Sequence, residues 1–311
     1  MMILVTGGLG FIGTHTARAL LDLGRPCVLA QRRPASDPPV PAEIVQADIA
    51  DLDSLRAIGR RHKITGILHL AGSMPWPPAP EQSGPDQQPI EAARTALGSL
   101  FNVLQVAQEW GVSRVGVAST IGVYGGVSAD SYTEDLPLPM TSAHVIPAFK
   151  KIGELLVDHL ADAAGLDIVN YRIGAIWGPR GHFVDRFFAA SQLVHAAARG
   201  TRPETNARSG DAIDLCYAKD CGRALALLQT ADRLDHRTYN VSSGRATTNA
   251  EIIAAIKKVV PDAEVDLPDG GQVFPPLDIT RLRKDTGYQP EFDTERAVAD
   301  YLSWLRAGNP R

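Results

Sequence analysis

In the opening stretch "ILVTGGLGFIGTHTARALLDLG", Gly7, Gly10 and Gly13 stand at G-x-x-G-x-x-G spacing between a short apolar run and an amphipathic one. Glycine backbone can turn tightly and approach a pyrophosphate closely. A helix that starts at such a turn aims unpaired N–H groups at the anion. Here those groups belong to the turn and to Phe11 and Ile12 at the start of the helix. The spacing gains weight from its surroundings: a strand precedes it, a helix ending at Gly24 follows, and a second strand, "PCVLA", comes next. In an NAD enzyme the end of that second strand usually holds an acid for the adenosine ribose. This chain has Gln31 there, followed by Arg32 and Arg33. A missing acid with an arginine at hand suits a 2′-phosphate, so the residues favour NADP over NAD. "ADI" at 47–49 closes a third strand, placing Asp48 and Ile49 on the adenine side with Asp48 in reach of the adenine amino group.

These groups need a scaffold. Apolar runs at Ile3–Val5, Val28–Ala30, Gly66–Leu70, Val115–Ala118 and Asp167–Tyr171 alternate with helical stretches. That is the pattern of a buried parallel sheet built from βαβ units. Ligands then belong at the carboxyl ends of the strands, where "HLAG" (69–72), "AST" (118–120) and "YRIG" (171–174) lie. A length of 311 residues fits one large α/β domain with a smaller appendage. The content of 44% hydrophobic and 21% charged residues is that of a globular chain, and a net charge of −4 gives no electrostatic case for nucleic acid. The longest apolar runs fall far short of the roughly 20 residues of a membrane helix. The start, "MMILVTGG", enters a strand at once without a basic n-region, which predicts a cytoplasmic protein without a signal peptide. Cys27, Cys216 and Cys221 have no metal-ligand spacing and read as reduced core thiols, with no metal expected.

Six landmarks occur in order: "TGGLGFIG" (6–13), "ADI" (47–49), "HLAG" (69–72), "ASTIGVYG" (118–125), "YRIGAIWGP" (171–179) and "YNVSSG" (239–244). With the closing "LDITRLRKDTGYQPEFDTERAVADYLSWLR", they resemble the extended short-chain dehydrogenase/reductase family, the NAD-dependent epimerase/dehydratase group, over essentially the whole chain. The resemblance implies a Rossmann-type α/β fold: a doubly wound parallel sheet of about seven strands with a smaller C-terminal α+β substrate domain. Residues 1–172 and 213–243 would form the dinucleotide-binding domain, and 173–212 with 244–311 the substrate domain. It further implies that Leu70, Ala71, Gly72, Ser119, Tyr171 and Ile173 border the cofactor.

The family's usual apparatus is an Asn, a Ser or Thr, a Tyr and a Lys. The tyrosine exchanges a proton with the substrate oxygen while hydride moves to or from the nicotinamide; the lysine lowers the tyrosine pKa and holds the nicotinamide ribose. Carried onto this chain, the hydroxyl position is Thr120, four residues before Tyr124, and the lysine is Lys150, in a register fixed by Gly153 and Glu154. The asparagine position holds Thr95 and the tyrosine position holds Ile146, which has no proton to give. His144, two residues upstream on the loop entering the helix, is the candidate substitute acid, since its ordinary pKa suits the task. Lys150 acting as the base is another route. Pro147 is expected to make Ile146 extended and to start the helix there, and Ile152, Leu155 and Leu156 are expected on its buried side.

Many relatives bind nucleotide sugars through an asparagine and an arginine serving the phosphates. These positions are Ala175 and Ile213 here, although Arg180 or Arg208 could compensate. The proline-rich segment 73–89 follows "HLAG" and offers Met74 and Trp76 as pocket walls, faced by His182 and Phe183 after "GPRG"; Thr120, Tyr124 and Ile146 complete the expected substrate lining. These features predict an NAD(P)-dependent oxidoreductase or epimerase on a small substrate other than a nucleotide sugar, with altered proton transfer. A dinucleotide-binding sensor or scaffold, or a non-redox lyase or isomerase, shares the same cofactor residues. The family further implies a homodimer, packed through the helix near Pro147 and one spanning about 92–110.

Overall fold

The computed structural model describes residues 2–33, 39–72, 89–181 and 188–310. Seven parallel strands form the main sheet: β1 (Ile3–Thr6), β2 (Cys27–Gln31), β3 (Glu43–Gln46), β4 (Gly66–His69), β5 (Arg114–Thr120), β6 (Ile168–Ile173) and, last in chain order within this sheet, Thr238–Val241. Their spatial order is β3-β2-β1-β4-β5-β6 followed by Thr238–Val241. The chain winds outward from β1 in one direction, then returns to β4 and winds in the other. This reversal opens a crevice above the carboxyl ends of β1 and β4, where such sheets bind their ligands. Helices α1 (Phe11–Asp22), α2 (Leu52–Arg61), α3 (Pro89–Trp110) and α4 (Val145–Ala164) connect the strands. Two apolar cores follow, one per face. Ile3, Val5, Leu29 and Tyr171 pack on one side, and Leu4, Val28, Ile67 and Val115 on the other. Alternate residues of one strand thus face opposite cores, as the strand period of two requires.

After β6, Gly174 leads straight into β7 (Ala175–Trp177), which pairs with β8 (Ala212–Tyr217); that strand in turn pairs with a short strand at Ala246–Thr248, making a three-stranded sheet. In chain order Thr238–Val241 is β9 and Ala246–Thr248 is β10. Helices α5 (Ala190–Arg199), α7 (Asn249–Val259) and α9 (Thr294–Arg306) cover the small sheet around a core of its own, which includes Trp177, Leu193, Ile256 and Tyr301. Between them in the chain, α6 (Ala218–Thr230) packs against α1 and α8 (Thr280–Thr286) against β9. Because β8 belongs to the small sheet, a division of the chain by sheets places the return to the large layer at 218 rather than 213. All three cysteines are buried and unpaired. No helix among the described residues is long and apolar enough to cross a membrane.

Helix α4 differs from its sequence expectation in two ways. It starts at Val145 with His144 as N-cap, so Ile146 is already helical and Pro147 is the third residue in. Proline is tolerated there because first-turn N–H groups lack an intrahelical partner anyway. Its buried face is Pro147, Gly153, Glu154, Val157 and Ala161. Ile152 and Leu155 point outward, 43% and 68% exposed, while Leu156 is half-buried.

Candidate active site

The glycine turn packs closely against neighbouring backbone. Gly7 has φ +69°, and a Cβ there would lie 2.9 Å from the Cα and N of Ala71. A Cβ on Gly13 would lie 2.2 Å from the carbonyl oxygen of Gly7. Neither position admits another residue without moving the chain. Gly10 is the N-cap of α1, contributes no side chain, and is followed by no acid in the first turn. The positive end of α1 is therefore left for an external anion. Phe11 and Ile12 are half-buried at that end.

The "HLAG" loop is fastened to this turn. Leu70 donates its N–H to Thr6 O at 3.2 Å and Ala71 to Thr6 Oγ1 at 3.3 Å, so Leu70, Ala71 and Gly72 run beside Gly7. Gln31 ends β2 in register with Gln46, and Arg32 and Arg33 follow, exposed. The side chain of Asp48 accepts the N–H of Ala50 at 3.0 Å, and Asn102 holds the loop by donating to Ile49 O and Ala50 O, both at 3.0 Å. The turn, the β2 end and the "ADI" loop all lie at the carboxyl edge, as expected from the sequence.

Across the crevice, Lys150 donates from Nζ to the carbonyl of Ala118 at 2.6 Å, which pins it to the end of β5. Burial pulls its pKa down to about 8, against a weaker upward pull from Glu154. Neighbouring Lys151 instead reaches Pro139 O and Thr141 O, away from the strands. Thr120 ends β5 and is half-buried; its Oγ1 accepts the N–H of Gly122 at 3.2 Å. A Cβ on Gly122 would sit 3.5 Å from Thr120 Oγ1 and 3.6 Å from Pro147, so the first turn of α4 abuts Thr120. Ile146 is half-buried one turn before Lys150, on the same helix face. His144 is half-buried and makes no side-chain cap bond.

Three expected site residues are placed elsewhere. Ser119 turns its hydroxyl inward onto Glu154, although it still lines the recess beside Lys150. Tyr171 is wholly buried on the opposite face of the sheet, its hydroxyl 3.5 Å from Gln229 Oε1, so it belongs to the core. Tyr124, expected in the substrate lining, is 1% exposed; its hydroxyl donates to Asn240 Oδ1 at 2.8 Å and accepts from Arg172 Nη1 at 2.9 Å. Its ring stacks on Tyr132 at 4.7 Å. Ile173 is buried at the end of β6 in register with Thr120. Met74, Trp76, His182 and Phe183 lie outside the described residues.

Sequence reading missed the buried scaffold under these groups. Glu154 and Arg172 form an ion pair at 2.8 Å with side chains only 8% and 7% exposed. Asp214 is fully buried and accepts from the N–H groups of Ser243, Gly244 and Leu277 and from the hydroxyls of Ser242 and Ser243. It clasps β8 to the "YNVSSG" segment; the acid after Ile213 was its only sequence signal. His69 is 8% exposed, bonds Thr6 Oγ1 through Nδ1 at 2.9 Å, and is driven to a pKa of about 3 by burial and by Lys150.

The sequence model of the NAD dependent epimerase/dehydratase family matches residues 3–242. The chain belongs to that family. A UDP-glucose 4-epimerase of Azospirillum brasilense is 27% identical over 330 residues, covering 98% of this chain and 92% of its own. A dTDP-glucose 4,6-dehydratase of Streptomyces griseus is 25% identical, covering 97% and 93%. Among solved structures, the UDP-glucose 4-epimerase of Thermotoga maritima with UDP-glucose superposes with a TM-score of 0.82 at 21% identity, covering 99% of each chain. At that identity the likeness establishes the Rossmann-type fold of this family member. Its curated relatives are sugar epimerases and dehydratases.

Proposed function

We propose that the protein is an NAD(P)-dependent oxidoreductase or epimerase in which Lys150 moves the proton that a tyrosine moves in relatives. The observation carrying this reading is the pairing of an intact glycine cradle with a half-buried, pKa-lowered Lys150 at the end of β5, one turn after Ile146. The cradle fits a dinucleotide: Gly7, Gly13 and the acid-free start of α1 hold the pyrophosphate, and Gln31, Arg32 and Arg33 favour a 2′-phosphate, hence NADP. When bound, the nicotinamide supplies hydride transfer. Thr120 donates its hydroxyl to the reacting oxygen. Lys150, its pKa lowered to about 8, accepts a proton from that oxygen through its neutral fraction in the oxidative direction and returns it in the reductive one. His144 is not needed for this step.

The substrate reading is a small molecule without a nucleoside diphosphate. Ile213 lines a groove in the smaller layer with Gln192, Asn249, Phe188 and Phe274, and among the described residues no lysine or arginine lines it. Arg208, a candidate to compensate, donates instead to Asp269 O at 2.9 Å. The exposed Ile152 and Leu155 of α4, with Phe101 of α3, support a homodimer packed through these helices. The second reading, a dinucleotide-binding protein with little catalysis, draws on Ile146 and on the inward turn of Ser119.

The discriminating experiment is Ile146→Tyr, assayed with NADPH on simple ketones beside wild type and His144→Ala. Gain of reductase activity in Ile146→Tyr, with His144→Ala matching wild type, supports an active site that lacks only the tyrosine. No activity in any of the three sinks the enzymatic reading.

A further inference from the structure

A second cavity lies outside the crevice, on the flank of α1. It encloses about 500 Å³, within the size range of small-molecule sites. Thr14, His15, Arg18 and Asp22 of α1 form one wall, which runs from the residue after Gly13 to the far end of the helix. Arg180, the start of α6, Phe292 and Trp304 of α9 close the other sides. We propose that this cavity is a binding site for a small organic anion with a flat apolar body, of the aromatic carboxylate class.

Charge is the first argument. Arg18, Arg180, Lys219 and Arg223 line the cavity. Asp22, Asp220 and Glu291 line it too, one acid fewer than the cations, and Lys219 is paired with Asp300 at 2.6 Å. Asp220 accepts the N–H groups of Glu291 at 2.9 Å and Phe292 at 3.0 Å, and Glu291 pairs with Arg223 at 3.2 Å. Arg18 spends one donor on the carbonyl of Pro39 at 3.2 Å, leaving most of its guanidinium fork for another acceptor. His15 reports the local potential. Its Nε2 is 2.8 Å from the carbonyl of Pro179, which fixes the N–H there and leaves Nδ1 with a lone pair. Burial holds its pKa below the ordinary value; Pro179 opposes this, Lys219 and Arg180 reinforce it, and Asp300 opposes it more weakly. The cationic side of the cavity therefore outweighs Asp300 at the imidazole.

Shape and backbone are the second argument. Phe292 and Trp304 present aromatic surface, and Lys219 lies over the Phe292 ring at 5.5 Å. A flat ring fits such walls while its carboxylate takes paired donors from a guanidinium. Arg180 has φ +71°, the one positive value for a non-glycine residue among the described residues. Strain of that kind persists where surrounding structure holds it, and it concentrates at ligand sites.

The test is calorimetric titration of the full chain with sodium benzoate and, separately, with inorganic phosphate, with and without saturating NADP+. The variants are Arg18→Glu, at an exposed position, and Arg180→Gly, which relieves the left-handed backbone. Benzoate is expected to bind one to one, unaffected by NADP+ and more tightly than phosphate. Each variant should weaken it roughly tenfold or more, the worth of one charge-assisted hydrogen bond, with a melting temperature no lower than that of wild type. The proposal is overturned if benzoate fails to bind at millimolar concentration, if NADP+ displaces it, if phosphate binds more tightly, or if both variants bind benzoate as wild type does. None of these outcomes depends on whether the crevice is catalytic.

Discussion

At the β1–β4 junction, added Cβ atoms on Gly7 and Gly13 would come within 2.9 and 2.2 Å of backbone atoms. Across the same crevice, Ile146 sits half-buried on the first turn of α4. One side is shaped by main chain, the other by side chains. The proposed function draws on this division: the cofactor is held by the first side while the proton-transfer group of the second is exchanged. Lys150 sits between the regimes: a carbonyl places it, and burial sets its acidity.

The comparison can be broken first at its foundation. Glu154→Ala leaves the Arg172 guanidinium buried without its carboxylate, and the expected loss of stability is about 3–5 kcal/mol. Denaturant melts check it; a loss near zero would mean the α4 side does not rest on this pair. Next, Gly13→Ala pushes a methyl group against Gly7 O. It should lower dinucleotide affinity by roughly tenfold to a hundredfold, the worth of about 1–3 kcal/mol of backbone strain, while Ile146→Ala leaves affinity nearly unchanged. Similar losses from both would erase the distinction drawn here.

A smaller effect sharpens the account of Lys150. Its pKa is lowered from 10.5 to about 8, so between those values the unfolded chain binds more protons than the folded one. Stability should therefore rise with pH across that window, and the penalty of holding the charge buried is fully present below pH 8. Lys150→Met should flatten the rise. Melting temperatures measured from pH 7 to pH 10.5 check this, and a wild-type curve as flat as the variant's would contradict the lowered pKa.

The sheet and the glycine turn were legible in the sequence because each repeats a pattern of spacing. Which way a side chain faces was not. Tyr171 and Arg172 are neighbours in one landmark, yet they enter opposite cores, and a strand buried on both faces shows no alternation to say which is which. On α4, hydrophobic periodicity put Leu155 inside and gave no sign that Glu154 would be buried, because the arginine that stabilises it is eighteen residues away on β6. The clasp at Asp214 was hidden for the same reason: its partners, Ser242 to Gly244 and Leu277, come together only in the folded chain.

The central claim, a dinucleotide site kept beside an altered reaction end, is tested most directly by calorimetric titration of the purified protein with NADP+ and NAD+. The account predicts one site per chain with micromolar or tighter affinity, NADP+ ahead of NAD+, and weaker binding in Lys150→Ala. No binding of either dinucleotide would contradict it.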